Sequence, residues 1–353
     1  MPASRILVVD DSVVARRVIS DILSAEEDFE VVGTAPNGRI ALAKIPRLRP
    51  DLVTLDIDMP ELDGLETLAV IRSDFPEIRV IMVSNLTLRG AAVTVESLFL
   101  GASDYVTKAT RSSSPEDARR YLRSQLVPKT RALVQGDPSH LRRAKRQAPR
   151  SSAPRARSQA AIEGVVIGAS TGGPNALATV IRALPADFPA PVLIVQHMPE
   201  NFTTFLAQRL DAAGPLDVRE AASGEPVTPG IIRIAPGNLH LMARTTRSGI
   251  ELETGDGPLE NSCRPAADVL FRSAATCFGA ATLAVVLTGM GQDGLKGCRE
   301  IRSADGRIIA QDKASSVVWG MPGQVVNAGL ADFVLPISEI GPEIVRRVKA
   351  SRS

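Results

Sequence analysis

Aromatic side chains are scarce in this 353-residue chain, 3% of the total with one tryptophan and two tyrosines, although 44% of residues are apolar. A core of valine, isoleucine, leucine and alanine follows, the composition of α/β packing. Aromatics are absent from the basic stretch Gly136 to Ala160, which argues against its being a nucleic-acid tail, because base stacking needs aromatic platforms. Cysteine is scarce as well: Cys263, Cys277 and Cys298 are an odd number, far apart, with no Cys-x-x-Cys. Neither a disulfide framework nor a thiolate zinc site is expected. An excess of one charge is also lacking. With a net charge of +2, the molecule offers no general electrostatic reason for a nucleic-acid partner. No apolar run approaches a membrane span, and Met1 to Arg5 leads into a strand without a charged-then-apolar leader. These absences predict a soluble cytoplasmic protein with no membrane insertion, long enough for two domains with separate cores.

What is present first is an alternation. Arg5 to Val9 reads as a buried strand, Val13 to Leu23 as an amphipathic helix, and the pattern repeats through strand Asp104 to Thr107. Five β/α units of this kind predict a parallel sheet with helices on both faces, whose chemistry gathers at the carboxyl ends of the strands. There the sequence places Asp10 and Asp11, Asp56, Ser84 and Lys108. Any one of these aspartates is ordinary turn or helix-cap chemistry. Together they describe a pocket. Three converging carboxylates repel unless a hard divalent cation joins them, and Mg²⁺ suits oxygen ligands. A cation beside Asp56, with the Lys108 ammonium opposite, would neutralise phosphoryl oxygens and let a carboxylate act as nucleophile.

Residues 4 to about 125 resemble a response-regulator receiver domain. The resemblance implies Asp56 as phospho-acceptor, Asp10 and Asp11 as Mg²⁺ ligands with the backbone carbonyl of Asp58, and Ser84, Tyr105 and Lys108 as the switch. Ala109 stands where receivers commonly have proline, which predicts a less rigid loop after the fifth strand.

Pro115 to Val134 reads as a helix broken at Pro128. From Gly136 to Ala160 there is no apolar periodicity. Arg142, Arg143, Lys145, Arg146, Arg150, Arg155 and Arg157 stand among Pro, Ser, Ala and Gln, with no acidic residue between Asp137 and Glu163. This composition predicts a flexible basic linker.

A second alternation begins at Gly164 to Pro174, a buried strand turning into a helix with Ser170 on the turn. Gly168-x-Ser170-x-Gly172 has the spacing of a nucleophile elbow. A glycine-rich turn that binds phosphate, or merely turns, has the same local look. Strand Pro191 to Gln196 delivers His197, and strand Thr282 to Leu287 leads to Asp293. A serine hydroxyl becomes a useful nucleophile when a neutral imidazole takes its proton and a carboxylate fixes that imidazole. Of the three histidines, His140 lies in the linker and His240 in a hairpin-like motif, so His197 is the candidate base, with His240 able to line the same pocket. Asp293 could instead cap the helix that follows it. The order serine, histidine, aspartate departs from α/β-hydrolases, which place the acid before the histidine. Gly224 to Gly249 suggests β-hairpins, with short strands at Ile231 to Ile234 and Leu239 to Ala243.

Gly168-Ala169-Ser170-Thr171-Gly172-Gly173-Pro174, Gln196-His197-Met198-Pro199, Pro236-Gly237-Asn238-Leu239-His240-Leu241, Ser262-Cys263-Arg264-Pro265, Leu287 to Gly294 and Trp319-Gly320-Met321-Pro322 follow the receiver-like segment in one domain. Together they closely resemble the chemotaxis protein-glutamate methylesterase family over the whole chain apart from the linker. The resemblance implies Ser170 as nucleophile, His197 as general base, Asp293 as its orienting partner, the Met290 N–H as an oxyanion donor and Thr171 nearby. It implies a phosphorylation-activated hydrolase acting on glutamate methyl esters, and in some members glutamines, of chemoreceptor cytoplasmic helices, with a chemotaxis histidine kinase as phosphodonor. The expected organisation is an N-terminal flavodoxin-like (βα)5 receiver over 1–125, a helix end and basic linker over 126–160, and a doubly wound, mostly parallel esterase domain with β-hairpins over 161–353. The chain is expected to be a monomer that uses Mg²⁺ in the receiver and no cofactor in the esterase. The receiver is expected either to cover the esterase cleft until Asp56 is phosphorylated or, once phosphorylated, to position the catalytic domain on its substrate.

Overall fold

The computed structural model describes residues 2–85, 87–108, 114–134 and 160–350. Most of the basic linker, His140 and Ala109 lie outside the described residues. The chain divides into two compact units, Met1–Asp137 and Pro138–Ser353.

In the first unit, strands β1 (Ser4–Val9), β2 (Phe29–Ala35), β3 (Leu52–Asp56), β4 (Arg79–Asn85) and β5 (Asp104–Lys108) alternate with helices α1 (Val13–Ser24), α2 (Gly38–Leu48), α3 (Gly64–Asp74), α4 (Leu88–Phe99) and α5 (Pro115–Val134). The strands pair in parallel in the order β2-β1-β3-β4-β5. Strands β1, β3, β4 and β5 are buried over most of their length, with Ile6, Leu7 and Val8 fully inaccessible, so they read as apolar runs, while β2 is partly exposed. The chain reverses direction between β1 and β3, so the loops after these strands part and leave a crevice.

The expected break at Pro128 is absent: α5 runs through it to Val134. A proline removes one helical hydrogen bond and crowds the preceding turn. Here the helix is held from both sides of that defect. Leu122, Leu126, Val127, Thr130 and Leu133 form one buried face. Lys129 donates to Asp104 Oδ1 at 2.9 Å and to the Tyr105 carbonyl at 2.7 Å, and Arg131 engages Asp28 and Glu26. Tertiary packing thus overrides the local breaker, and the helix extends past residue 125.

The second unit has a seven-stranded sheet in the order β14-β13-β12-β6-β7-β9-β8, every neighbouring pair parallel. Its strands are β6 (Gly164–Ala169), β7 (Val192–Gln196), β8 (Asp217–Glu220), β9 (Ile231–Ile234), β12 (Thr282–Val286), β13 (Arg307–Gln311) and β14 (Phe333–Leu335). A single antiparallel hairpin, β10 (His240–Thr246) with β11 (Gly249–Gly255), stands apart from it. Ile231–Ile234 is therefore no hairpin strand, as the glycine- and proline-rich surroundings suggested. It slots between β7 and β8, with Ile232 and Ile234 buried on one face and Arg233 buried on the other.

Helices α6 (Gly173–Arg182), α7 (Phe202–Asp211), α8 (Ala267–Phe278), α9 (Leu295–Ser303), α10 (Met321–Asn327) and α11 (Ile337–Ala350) flank this sheet. Beyond the helix expected after Asp293, which is α9, the strands β13 and β14 and the last two helices are elements that the sequence motifs did not locate. Helix α8 is central. It buries Leu270, Phe271, Ala274, Ala275 and Phe278 at helical spacing, and a leucine or phenylalanine side chain contributes roughly 1.5–3 kcal/mol when fully buried. It lies close against β6 because Gly168 has no Cβ: one placed there would come within 2.8 Å of the Ala267 Cβ. This fixes where the amino terminus of α8 arrives.

Candidate active site and acid pocket

The switch point of the second sheet lies between β6 and β12, the central strands from which the chain winds outward in opposite directions. Ser170, His197 and Asp293 follow β6, β7 and β12. Register brings them near one another. Ala169 pairs with Gln196, so Ser170 and His197 leave adjacent strands at the same level. Gly168 pairs with Val286, and Ser170 N–H donates to the Thr288 carbonyl at 3.0 Å.

The turn at Ser170 is locked from several directions. Its carbonyl accepts from Gly173 N–H at 2.7 Å and from the buried Gln196 Nε2 at 3.0 Å. Gly172 has φ +78°, the left-handed region that a side chain disfavours. Ser170 itself is half-buried, and no hydrogen bond reaches its Oγ among the described residues.

His197 Nε2 lies 2.7 Å from Asp293 Oδ2, and its Nδ1 faces Cys263 Sγ at 3.7 Å. Burial pulls the imidazolium down, but hydrogen bonding to Asp293 and Cys263 outweighs it and pushes His197 up to about 10. Asp293 does not cap its own following helix, whose N-cap is Gly294 with no side-chain cap bond. Instead it accepts from the amino terminus of α8, from Ala267 N–H at 2.5 Å and Asp268 N–H at 3.1 Å, and from Asn261 Nδ2 at 2.8 Å. Burial raises its carboxyl, yet His197 and these backbone donors hold it below the usual carboxylate range.

Met290 is half-buried in the loop after β12, its N–H free of partners among the described residues. Thr171 is buried, its carbonyl accepting from Thr288 Oγ1 at 2.9 Å. His240 stands apart from the pair. Its Nε2 donates to the Pro258 carbonyl at 2.9 Å and its Nδ1 accepts from Ala266 N–H at 3.3 Å, a neutral imidazole that pins the loop before α8. Cys263, Gln196 and Asn261 carried no role in the sequence reading. Gln196 and Cys263 stood in sequence motifs, Gln196 also as a polar residue ending a buried strand, whereas Asn261 left no signal.

In the first unit, the carboxylate oxygens of Asp10, Asp11 and Asp56 lie within 4.8 Å of one another, with Asp10 and Asp56 buried and Asp11 exposed. Lys108 Nζ sits 2.9 Å from Asp10 Oδ2 and 2.8 Å from Asp56 Oδ2. Burial, together with the Asp10 charge and against the pull of Lys108, raises Asp56 to about 6. Burial lowers Lys108, but Asp56 and Asp10 outweigh it and leave the ammonium raised. Asp58 is exposed in the following turn, and its carboxylate is not part of the cluster. Ser84 is buried, its Oγ donating towards the Asn85 and Gly90 carbonyls at 3.2 and 3.3 Å. Tyr105 is buried beneath the Lys129 ammonium, 4.7 Å from the ring centroid.

Residues 165–344 match the family described as CheB methylesterase, and residues 6–116 match the response regulator receiver domain. The chain belongs to the CheB methylesterase family. A CheB-family relative from Trichodesmium erythraeum, named protein-glutamate methylesterase/protein-glutamine glutaminase, is 49% identical over 99% of this chain and all of its own length. One of the same name from Nocardioides sp. is 49% identical over this whole chain and 97% of its own. The crystal structure of the Thermotoga maritima CheB methylesterase catalytic domain matches with a TM-score of 0.52 and 44% identity, covering 52% of this chain and 97% of that one. The receiver of a CheB-family protein is phosphorylated in a Mg²⁺-dependent manner.

Proposed function

We propose that this chain hydrolyses glutamate methyl esters, and glutamine side-chain amides, on methyl-accepting chemoreceptors, with Ser170 as nucleophile and receiver phosphorylation as the activating signal. The observation that carries this reading is the pair of the partly buried His197 with the buried Asp293, beside Ser170 in the register of adjacent strands. With Nε2 committed to Asp293, Nδ1 is the nitrogen that takes the Ser170 proton. The hydroxyl oxygen attacks the ester carbonyl, the Met290 N–H donates to the resulting oxyanion, and Thr171 lies beside it. Methanol leaves with the proton from His197. Water then enters by the reverse proton path, releasing glutamate from the acyl-serine. With a glutamine substrate the leaving group is ammonia. The esterase site uses no cofactor.

In the receiver, Asp10, Asp11, Asp56 and the Asp58 backbone carbonyl would hold Mg²⁺. The fit rests on the donor set, which is all oxygen, and on Asp10 Oδ2, a buried atom with no aligned hydrogen-bond donor. When bound, the ion neutralises phosphoryl oxygens. Asp56 is the acceptor, Lys108 holds both buried carboxylates in place, and Ser84, Tyr105 and Lys108 respond to the new charge. The phosphodonor is a chemotaxis histidine kinase. The chain works as a monomer in the cytoplasm, without nucleic acid; no helix among the described residues is long and apolar enough to cross a membrane. The direct test is methanol release from methylated receptor membranes, with and without acetyl phosphate. No release under either condition overturns the reading.

Because the base must be neutral, kcat/KM is expected to climb with pH towards about 10, the value to which His197 is pushed. Cys263→Ala removes one of the groups that raise His197, so its profile should shift to lower pH and its rate at neutral pH should increase. An unmoved profile would separate Cys263 from the base. Stability has the opposite trend. A histidine raised in the folded state contributes stability below its unfolded value of about 6.5 and loses it as pH rises through the folded one. Thermal melting of the full chain between neutral pH and pH about 10 should show this loss.

A further inference from the structure

Asp268 and Asp293 are both buried, 0% and 2% exposed, and a single amide group stands between them. Asn261 Nδ2 donates to Asp268 Oδ2 at 2.9 Å and to Asp293 Oδ1 at 2.8 Å. Ionised carboxylates only accept hydrogen bonds, so the amide must present its NH₂ here, and both of its hydrogens are used. Two carboxylates sharing a dry site ordinarily drive one of them to take up a proton. We propose that Asn261 is a positioning residue for the esterase reaction: its NH₂ bridges the Asp268 and Asp293 carboxylates, so that Asp293 stays ionised and turned to His197. This rests on the reading of Asp293 as the partner of His197.

The backbone shows how the amide is delivered. Glu260 and Cys263 exchange both of their backbone hydrogen bonds, Glu260 N–H to the Cys263 carbonyl at 3.1 Å and Cys263 N–H to the Glu260 carbonyl at 2.9 Å. Between them Asn261 and Ser262 have φ +52° and +62°. Successive left-handed residues make a tight reverse turn, and asparagine tolerates that region better than most residues. The Glu260 carboxylate is clamped by both guanidinium nitrogens of Arg272 on α8, at 2.7 and 2.6 Å. The turn is thus tied to the same helix whose amino terminus holds Asp293. A longer glutamine amide from this turn would overrun the gap.

The groups facing Asp293 are His197 after β7, Asp268 and Arg272 on α8, Glu260 on the turn and Cys298 on α9, while Cys263 acts on His197 and Lys296 on Glu260. Glu260 is already neutralised by Arg272. Asp268 is the carboxylate whose charge Asn261 has to accommodate, and its own pKa is raised by burial, with the Asp293 charge adding. Removing that charge should therefore remove most of the need for Asn261.

A double-mutant cycle on the full-length chain reads this from methanol release by methylated receptor membranes. Asn261→Ala is expected to lower kcat/KM about tenfold to a hundredfold, chiefly because it leaves two buried carboxylates facing one another with no shared donor. In an Asp268→Asn background, the same substitution should cost about twofold or less, within ordinary additivity. The acid limb of the Asn261→Ala rate–pH profile should also move to higher pH, whereas a purely structural role would lower the rate without moving it. Equal losses in both backgrounds, or an Asn261→Ala protein as active as its parent, overturn the proposal. If Asn261→Ala fails to fold, Asp268→Asn must restore its cooperative melt, and a double variant that stays unfolded overturns it too. Asp293→Asn serves as the reference: activity retained there defeats the reading of the pair, while a flat cycle beside an inactive Asp293→Asn defeats only the role of Asn261.

Discussion

Ser170→Ala is expected to lower methanol release from methylated receptor membranes by at least about a thousandfold, leaving only what oxyanion binding and substrate positioning supply. Folding should survive. The Ser170 Oγ makes no hydrogen bond among the described residues, and the turn is held by the Ser170 backbone and Gln196 rather than by the hydroxyl. The melt should shift by no more than about 0.5 kcal/mol, as for other substitutions that remove no buried contact. His197→Gln or Asp293→Asn added to Ser170→Ala should cost little more, because the base and its partner act through the nucleophile. Near-parental release from the Ser170→Ala protein would move the nucleophile elsewhere, and Cys263, on the same imidazole nitrogen, would be the next residue to test.

Asp56→Asn is expected to abolish labelling of the chain by acetyl phosphate, and with it the rise in esterase rate that labelling brings. The geometry supports the proposal of this carboxylate as acceptor. Asp10 is fully buried under Lys108 and Asp11 is exposed, while Asp56 ends β3 at the crevice with one oxygen accepting from Ile57 N–H at 2.9 Å and the other against Lys108. An amide keeps the shape and loses the nucleophile. Chelation of divalent ions should also stop labelling of the parent, because three carboxylates alone repel a phosphate dianion. Label found in the Asp56→Asn protein, or undiminished by chelation, would place the acceptor outside this pocket.

The receiver was largely readable from its sequence because its central strands are apolar runs and its charged pocket residues sit at or just after strand ends, Asp10 and Asp11 following β1, Asp56 ending β3 and Lys108 ending β5. Ser170 was readable for the same reason, with flanking glycines as a second cue. Pro128 misled because a proline is a local signal, and the packing of Leu126 and Leu133, with the Lys129 and Arg131 contacts, outweighs it. Ile231–Ile234 misled because turn residues surround it, whereas its partners β7 and β8 come from earlier in the chain. Asn261 had no periodicity or motif to mark it. Its meaning exists only once α8, β12 and the turn have brought Asp268 and Asp293 together, a convergence that no local pattern encodes.

The first N–H groups of a helix ordinarily point to water and exchange their hydrogens freely. At α8 the N–H groups of Ala267 and Asp268 are instead bonded to the Asp293 carboxylate, and the body of the helix is buried against β6. Deuterium uptake at these two amides therefore reports on the acid arm of the esterase without any substrate present. They should exchange slowly, in step with the cooperative opening of the core rather than with fraying of a helix end. In Asp293→Ala they should become fast while Leu270 and Phe271 stay protected, so that a loosened carboxylate and a loosened domain can be told apart in the same spectrum.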